Sequence, residues 1–196
     1  MRYNAASLST LNLTSANPPG STAGIYYSDI VMWSILTHLP ALSHFNPQCK
    51  VHRSALVWLT ANSTLGLLKT IDLNLHSECM SRSPSVLIRF LCSLSTLESL
   101  ALAGEIHPAR SGEWALSHAS TLKRLQLKTV KRSDSVFNLV ALRAMTPTPL
   151  PLLEHLSITI KRSEGDSNEV SMYKVLGTMP RLQSVILGLD CSDFLV

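Results

Sequence analysis

Apolar and polar residues alternate in short segments that recur along the chain. Five segments align without gaps and share the pattern L-[KEQ]-x-[LIV]-x-[LI]; they are Leu68–Leu73, Leu97–Leu102, Leu122–Leu127, Leu153–Ile158 and Leu182–Leu187. The residue frequencies of this chain predict roughly 0.2 such segments by chance. Alternation with a period of two is typical of a short strand that buries one face. The pattern therefore predicts one strand at each segment.

Two further segments fit a looser form of the pattern. One begins at Leu8 and the other at Leu42, where Pro47 falls at a position that breaks the rule. The first leucines of the seven segments are about 25 to 34 residues apart, and a period of this length is typical of solenoid proteins. The spacing therefore favours a repeat array.

The linkers between the segments have the periodicity of helices. Four linkers each predict one helix, and these helices begin near Asp29, Pro84, Ser135 and Asn168. Each start follows or contains a residue that caps helices, and proline suits the first helical position. Strand and helix thus alternate, which is typical of an α/β fold.

A doubly wound parallel sheet is the main alternative for this alternation. The strands of such a sheet are buried on both faces and read as continuous apolar runs, whereas polar residues such as Asp72, Arg124 and Gln126 occupy one face here. The prediction is therefore an α/β solenoid in the form of a horseshoe. About six to seven irregular repeats would place parallel strands on its concave face and helices on its convex face.

The repeats also resemble a known family. Its motif is P-x-L-x-x-[LVI]-x-[LI] at Pro151–Ile158 and Pro180–Leu187, and S-T-L-x-x-L-x-L at Ser95–Leu102 and Ser120–Leu127. Over nearly the whole chain these segments resemble leucine-rich-repeat proteins, specifically the irregular ribonuclease-inhibitor-like arrays of fungal F-box proteins. The resemblance implies a non-enzymatic protein-binding module, the substrate-recognition part of a ubiquitin ligase subunit. The chain departs from the family because the usual asparagine or cysteine after each strand is absent.

The sequence predicts a single domain over residues 1–196. No F-box is recognisable, since the segment Asp29–Leu42 lacks the opening Leu-Pro and is explained better as a repeat helix. Neither end has the polar cap that a terminal repeat needs. We therefore expect a fragment of a longer array, which would reach a ubiquitin-ligase adaptor through an F-box outside this sequence.

Composition and hydrophobic pattern indicate the cellular location of the protein. The chain is 45% hydrophobic and 15% charged, which is typical of an ordered globular protein. The richest apolar stretch, Val86–Leu94, is broken by Arg89 and is too short to span a bilayer, and the first residues do not form a signal peptide. We expect a cytoplasmic or nuclear protein with no membrane partner, whose four cysteines are reduced core thiols.

The sequence contains few candidate catalytic or metal-binding residues. The catalytic motifs G-x-S-x-G, G-x-x-x-x-G-K-[ST], G-x-G-x-x-G and H-E-x-x-H are absent, and the segment His76–Cys79 has no second pair of metal ligands. The sequence thus predicts no catalytic residue, no metal and no cofactor. The alternatives are an enzyme of unrecognised class on an α/β fold and, given the net charge of +4, a nucleic-acid-associated scaffold. Because the basic residues are scattered, protein binding ranks above nucleic-acid binding.

The predicted binding surface lies on the strands. Residues between the inward leucines face the opposite side of the pleat, which is the predicted concave side. We expect a protein partner to contact the ten residues Thr70, Asp72, Asn74, Ser99, Ala101, Arg124, Gln126, Lys128, His155 and Ser157.

Overall fold

A computed structural model of the chain describes residues 8–13, 39, 41–47, 50–61, 63–75, 84–104, 117–129, 142–143, 150–162 and 165–190. The chain divides into two compact units, unit 1 (Met1–Leu97) and unit 2 (Glu98–Val196). The prediction of a single domain over residues 1–196 stays a prediction.

Unit 1 contains four strands, two α-helices and one 3-10 helix among its described residues. They are β1 (Thr10–Leu13), β2 (His44–Pro47), β3 (Lys50–Val51), α1 (Arg53–Ala61), the 3-10 helix (Ser63–Leu67), β4 (Thr70–Leu75) and α2 (Pro84–Cys92). The strand order is β1-β2-β4, and β3 pairs with β4. All of these pairings are parallel.

Unit 2 contains four strands and one longer helix in its described ranges. They are β5 (Ser99–Gly104), β6 (Arg124–Thr129), β7 (His155–Lys161), α3 (Ser167–Gly177) and β8 (Ser184–Asp190). The strand order follows the chain, and each neighbouring pair is parallel. The prediction of an α/β fold with parallel strands is therefore confirmed.

The repeated apolar positions form the core of each unit. In β4 the three residues Ile71, Leu73 and Leu75 are buried and alternate with half-buried or exposed polar residues. In β6 the same alternation buries Leu125 and Leu127. One face of β4 and one face of β6 thus contact the core and the other face of each contacts solvent, as the period of two predicts.

Strand register reproduces the alignment of the sequence segments. The third position of each segment pairs with the third position of its neighbour in every described pairing of segments: Thr10 with His44, His44 with Thr70, Ser99 with Arg124, Arg124 with His155, and His155 with Ser184. The two looser segments at Leu8 and Leu42 obey the same register as the five strict ones. Both therefore belong to the repeated pattern.

One backbone hydrogen-bond arrangement recurs at the start of the strands. In unit 2 the carbonyl oxygen of Glu154 accepts the N–H groups of Gln183 and Ser184 at 2.8 and 3.0 Å. The same arrangement occurs in four other segments. Their carbonyl oxygens at this position, which belong to Ser9, Ser43, Glu98 and Lys123, each accept the equivalent two N–H groups. Each of these pairs of neighbouring segments thus shares one backbone acceptor at the start of its strands.

A buried residue lies three or four positions before the first leucine of most segments. The sequence pattern of the segments does not include it. The N–H of the first leucine donates to the carbonyl of the residue three positions earlier in four segments, and those earlier residues are Leu39, Leu65, Leu150 and Met179. In the segment that begins at Leu122, the acceptor is His118, four positions earlier and also buried. The repeated unit therefore includes a tight turn before the strand.

Pro47 shortens β2. Because proline lacks an N–H group, it cannot donate to a ladder, and it ends a strand or lies at an edge. Pairing with β4 resumes at β3, where Lys50 faces Asn74, although His44 faces Thr70. The β2–β3 side therefore has two more residues than β4 between these two pairings.

Helices α1 and α2 pack together in unit 1. The contact buries Leu56 and Leu59 of α1, and Leu87, Phe90 and Leu91 of α2 are buried as well. Pro84 is the first residue of α2, as predicted for proline at the first helical position. Helix α1 was not predicted as a separate helix.

Helix α3 begins one residue earlier than predicted and has a complete N-terminal cap. The carboxylate of Asp166 accepts the N–H groups of Asn168 and Glu169 at 2.9 and 2.8 Å. The buried carboxylate of Glu169 accepts the N–H of Gly165 and the hydroxyl of Tyr173. The pattern is close to a capping box, except that Glu169 accepts the N–H of Gly165, one residue before the N-cap Asp166.

We expect Asp166→Ala to destabilise unit 2 by about 1 kcal/mol, because two N–H groups at the helix start lose their acceptor. Asp166→Asn keeps an acceptor oxygen and should change the free energy of unfolding by a few tenths of that value at most. Urea unfolding followed by circular dichroism measures both variants. Equal losses for the alanine and asparagine variants would contradict this role of the side chain.

Three predictions about burial or position need correction or lie outside the described residues. In α3, Val170 and Tyr173 are exposed, whereas Met172 is buried. Cys92 was expected in the core but is exposed at the end of α2. The predicted helix near Asp29, and that near Ser135 apart from residues 142–143, lie outside the described residues.

No helix in the described part of the chain is long and apolar enough to cross a membrane.

Candidate functional site

The ten predicted surface residues lie at polar-face strand positions, three in unit 1 and seven in unit 2. None of them is buried. Asp72, Asn74, Arg124 and Lys128 are exposed, and the others are half-buried. Each set is therefore open to solvent on its own unit, as the pleat predicts.

The seven residues of unit 2 fall into rows that cross the strands. We name the polar side of β5 to β8 the unit 2 strand face. Its first row is Ser99, Arg124, His155 and Ser184, and its second row is Ala101, Gln126, Ser157 and Ile186. Neighbouring strands are about 4.8 Å apart, so side chains within a row lie side by side and one partner can contact a whole row.

Residues of β6 form a ridge on this face. Its three polar-face residues, Arg124, Gln126 and Lys128, have long side chains, whereas those of the neighbouring β5 are Ser99, Ala101 and Ala103. The short side chains of β5 leave open space beside the ridge. A protruding side chain of a partner has room there.

The ridge is basic. Arg124 and Lys128 are exposed, and neither forms an ion pair with any residue in the described ranges. The polar-face positions of β5, β6 and β7 contain no acidic residue. An acidic group on a partner would therefore meet cations that no neighbouring carboxylate on these strands neutralises, and a guanidinium binds carboxylates with two parallel hydrogen bonds.

The second position of the repeated segments carries a different charge pattern. Glu98 and Lys123 form an ion pair at 2.7 Å on neighbouring strand starts, and Glu154 occupies the same position in the following segment. The hydrogen bond and the charge of Glu98 raise the pKa of Lys123, and Glu154 raises it less. Lys123 is thus neutralised within the chain, in contrast to the cations of the ridge.

We expect Glu98→Gln to lower the pKa of Lys123 toward its ordinary value of 10.5. In the native chain the folded state binds this proton more tightly than the unfolded state, so the pair contributes stability below pH 10.5 that is lost as the pH rises through the folded pKa. An NMR titration of the Lys123 side chain measures the shift. Glu154→Gln is the matched control and should lower this pKa less; the reverse order would be inconsistent with the geometry.

The three predicted residues of unit 1 lie on β4. Thr70 pairs in register with His44, and Asn74 pairs with Lys50. Ser43 Oγ lies 2.8 Å from Nδ1 of His44 and 3.1 Å from the carbonyl oxygen of Ser9. The hydroxyl donates to the Ser9 carbonyl oxygen, so it can accept a hydrogen bond from His44 in the tautomer that has its proton on Nδ1.

A metal centre has no ligand set among the residues that the structure describes, because no group of three or more His, Cys, Asp and Glu side chains lies together there. The predicted surface left out the β8 residues of the first two rows of the unit 2 strand face, Ser184 and Ile186. The sequence signal for both existed, because the segment Leu182–Leu187 had already been aligned with the others.

Comparisons with known proteins found no relative of this chain. No protein-family model, no curated protein and no solved structure matches the chain. The arguments about function therefore depend on the residues and contacts described above.

Proposed function

We propose that this chain is a non-enzymatic protein-binding module built as a leucine-rich-repeat array. Three observations support the repeat architecture: the shared register of the segments, the recurring double acceptor at their second position, and the buried leucines at equivalent positions. A repeat array presents a wide surface built from equivalent strands, and its usual role is to bind another macromolecule.

The observation that carries the binding role is the basic ridge on the unit 2 strand face. Exposed strand residues Arg124 and Lys128 lack carboxylate partners in the described ranges. The small side chains of Ser99 and Ala101 beside them leave room for a partner. The proposed partner is therefore a protein that places an acidic segment along β6.

Site-specific photo-crosslinking tests this proposal. A photoreactive amino acid at position 126, in the second row, should give protein adducts in cells that express the chain, because Gln126 lies between the two cations. The same amino acid at position 57 is the matched control, since Val57 is half exposed on helix α1 of the other unit. Adducts at both positions, or adducts that nuclease rather than protease removes, would contradict protein binding at this face.

We expect the double variant Arg124→Glu and Lys128→Glu to weaken binding of the crosslinked partner more than tenfold, or about 1.4 kcal/mol. The reversed charges would repel an acidic segment, while both positions are exposed strand positions at which charge has little effect on folding. Titration calorimetry with the recovered partner, with thermal melting in parallel, measures both quantities. Unchanged affinity would place the partner elsewhere.

The resemblance to fungal F-box arrays supports a narrower proposal. In it, the module selects substrates for a ubiquitin ligase and is joined to the adaptor by an F-box outside this sequence. Affinity purification of the full-length parent protein from its native cell should then recover an adaptor or another ligase subunit. Recovery of a partner without any ligase subunit would reject this role and leave the binding module.

A further inference from the structure

The first row of the unit 2 strand face consists of polar side chains with open donors. Ser99, Arg124, His155 and Ser184 are register partners across β5 to β8. None of these four side chains forms a hydrogen bond or an ion pair with another residue in the described ranges. A serine hydroxyl and a neutral imidazole have one donor each, and a guanidinium has five. The row therefore contains neighbouring donors that no acceptor in the described part of the chain uses.

Arg124 has a donor on each side within this row. Its register partners are Ser99 on β5 and His155 on β7, and the strands lie about 4.8 Å apart. A guanidinium binds a carboxylate through two parallel hydrogen bonds, and the flanking hydroxyl and imidazole can each donate to the remaining lone pairs of that carboxylate. Because Ser99 is short, the carboxylate can approach the exposed Arg124 side chain from the β5 side.

Lys128, the other cation of the ridge, has different surroundings. Its register partner on β5 is Ala103, whose side chain has no donor. An ammonium group is a point charge without a fixed pair of parallel donors. Lys128 also lies four residues from Arg124 along β6, a distance of about 13 Å. The two cations therefore contact different parts of a bound segment, and Lys128 contributes charge rather than a fixed hydrogen-bond geometry.

The charges at the second segment position favour a carboxylate over a phosphate in the first row. Lys123 forms an ion pair with Glu98 at 2.7 Å, and Glu154 also acts on its charge. Two carboxylates and one ammonium leave an excess negative charge beside the row. A phosphate group has a charge of about −1.5 to −2 at pH 7, so this excess repels it more strongly than it repels a carboxylate. The row contains no second arginine or lysine that would offset the difference.

We infer that Arg124 is the specificity-determining residue of the unit 2 strand face. It binds one carboxylate of the partner, an aspartate or glutamate side chain, and Ser99 and His155 are the flanking donors. Lys128 attracts the same acidic segment through its charge but does not select the group that is bound. The inference rests on the proposed binding role of the basic ridge and adds the chemistry of the group that the ridge recognises.

Exchanges that retain the charge separate the roles of the two cations. For the partner that is crosslinked at position 126, Arg124→Lys should weaken binding more than about tenfold, because the charge stays while the two parallel hydrogen bonds are lost. Lys128→Arg should change the affinity less than about twofold, since only its charge contributes. Lys174→Arg, at an exposed position of α3, is the matched control. Titration calorimetry measures the affinities, and thermal melting confirms that each variant folds.

A peptide titration of the full chain tests the recognised group without the partner. The probes are a peptide of six glutamates and a hexapeptide of the same total charge in which phosphoserine supplies the charge. The Nε–H resonance of Arg124, followed by NMR, should shift saturably with both and at lower concentration with the glutamate peptide. Ser99→Ala should weaken binding of the glutamate peptide, and Ser167→Ala, at an exposed position of α3, is its matched control.

The results distinguish a failure of this inference from a failure of the proposed function. Suppose the double charge reversal at Arg124 and Lys128 weakens partner binding while Arg124→Lys and Lys128→Arg change it equally. The ridge then binds an acidic partner, but Arg124 does not select the group. Tighter binding of the phosphoserine peptide, or no shift of the Arg124 resonance with the glutamate peptide, would also overturn the inference. An absence of adducts at position 126 would instead contradict the proposed function, and the peptide titration then decides the role of Arg124 by itself.

Discussion

Leu125→Asp is expected to unfold unit 2. The side chain is 1% exposed and is the second residue of β6, between its register partners Leu100 and Leu156, which are also buried. A carboxylate there loses its hydration without gaining a partner, and the substitution also removes apolar contact area. Each effect costs several kcal/mol, which approaches the whole stability of a typical domain.

The neighbouring residue provides the control for this variant. Gln126→Asp introduces the same side chain one position along β6, on the half-exposed face, and should change stability by about 0.5 kcal/mol at most. Circular dichroism and urea unfolding compare the two. A Leu125→Asp protein that melts as the native chain does would show that the leucines at the fourth segment position do not form the core.

Phe90→Ala should destabilise unit 1 by about 3 to 5 kcal/mol, because it leaves a cavity the size of a phenyl ring in the core. Phe90 is fully buried in α2, and α2 packs on α1. Leu56 and Leu59 of α1 are buried there as well, and close packing limits how far such a core collapses to fill a cavity.

The control lies next to it in α2. Arg89 is exposed, so Arg89→Ala removes no buried group and should change the free energy of unfolding by about 0.5 kcal/mol at most. Equilibrium unfolding in urea, monitored by tryptophan fluorescence, measures both variants. Similar small losses for Phe90→Ala and Arg89→Ala would contradict the burial of α2 against its unit.

Several features of the fold were predictable from local sequence. The period of two identifies the buried residues of the strands because the pleat sends successive side chains to opposite faces. The alignment of the segments also predicts which residues pair, since equal positions of a repeated unit meet in a parallel sheet. Even the segment at Leu42, with its irregular Pro47, pairs in the predicted register.

Other features were not predictable because they depend on what each element contacts. Apolar residues of α3 are compatible with more than one buried face, and the placement of the helix buries Met172 rather than Tyr173. Val185 and Leu156 occupy the same motif position, and their difference in exposure arises from strand order. The sequence pattern contains no information on what α3 packs against or on which strand has a neighbour on each side.

The candidate site shows the same division. Alternation alone placed three residues on the polar face of one strand, namely Arg124, Gln126 and Lys128. The exposure of these side chains in β6 agrees with that placement. The ion pair between Glu98 and Lys123 and the absence of such a pair for Arg124 in the described ranges required coordinates. Both depend on side chains that are far apart in the chain.

For this protein, the sequence by itself determined which residues of the repeated segments form strands, which face of strands β4 to β7 is buried and which residues are register partners. These properties follow from local periodicity and from repetition, so they need no knowledge of distant contacts. The tertiary structure decided which apolar residues remain exposed, which charges are paired and where helix α3 buries its side chains. Those properties depend on neighbours separated by 20 or more residues, and the free energy of such contacts is set only when the elements pack.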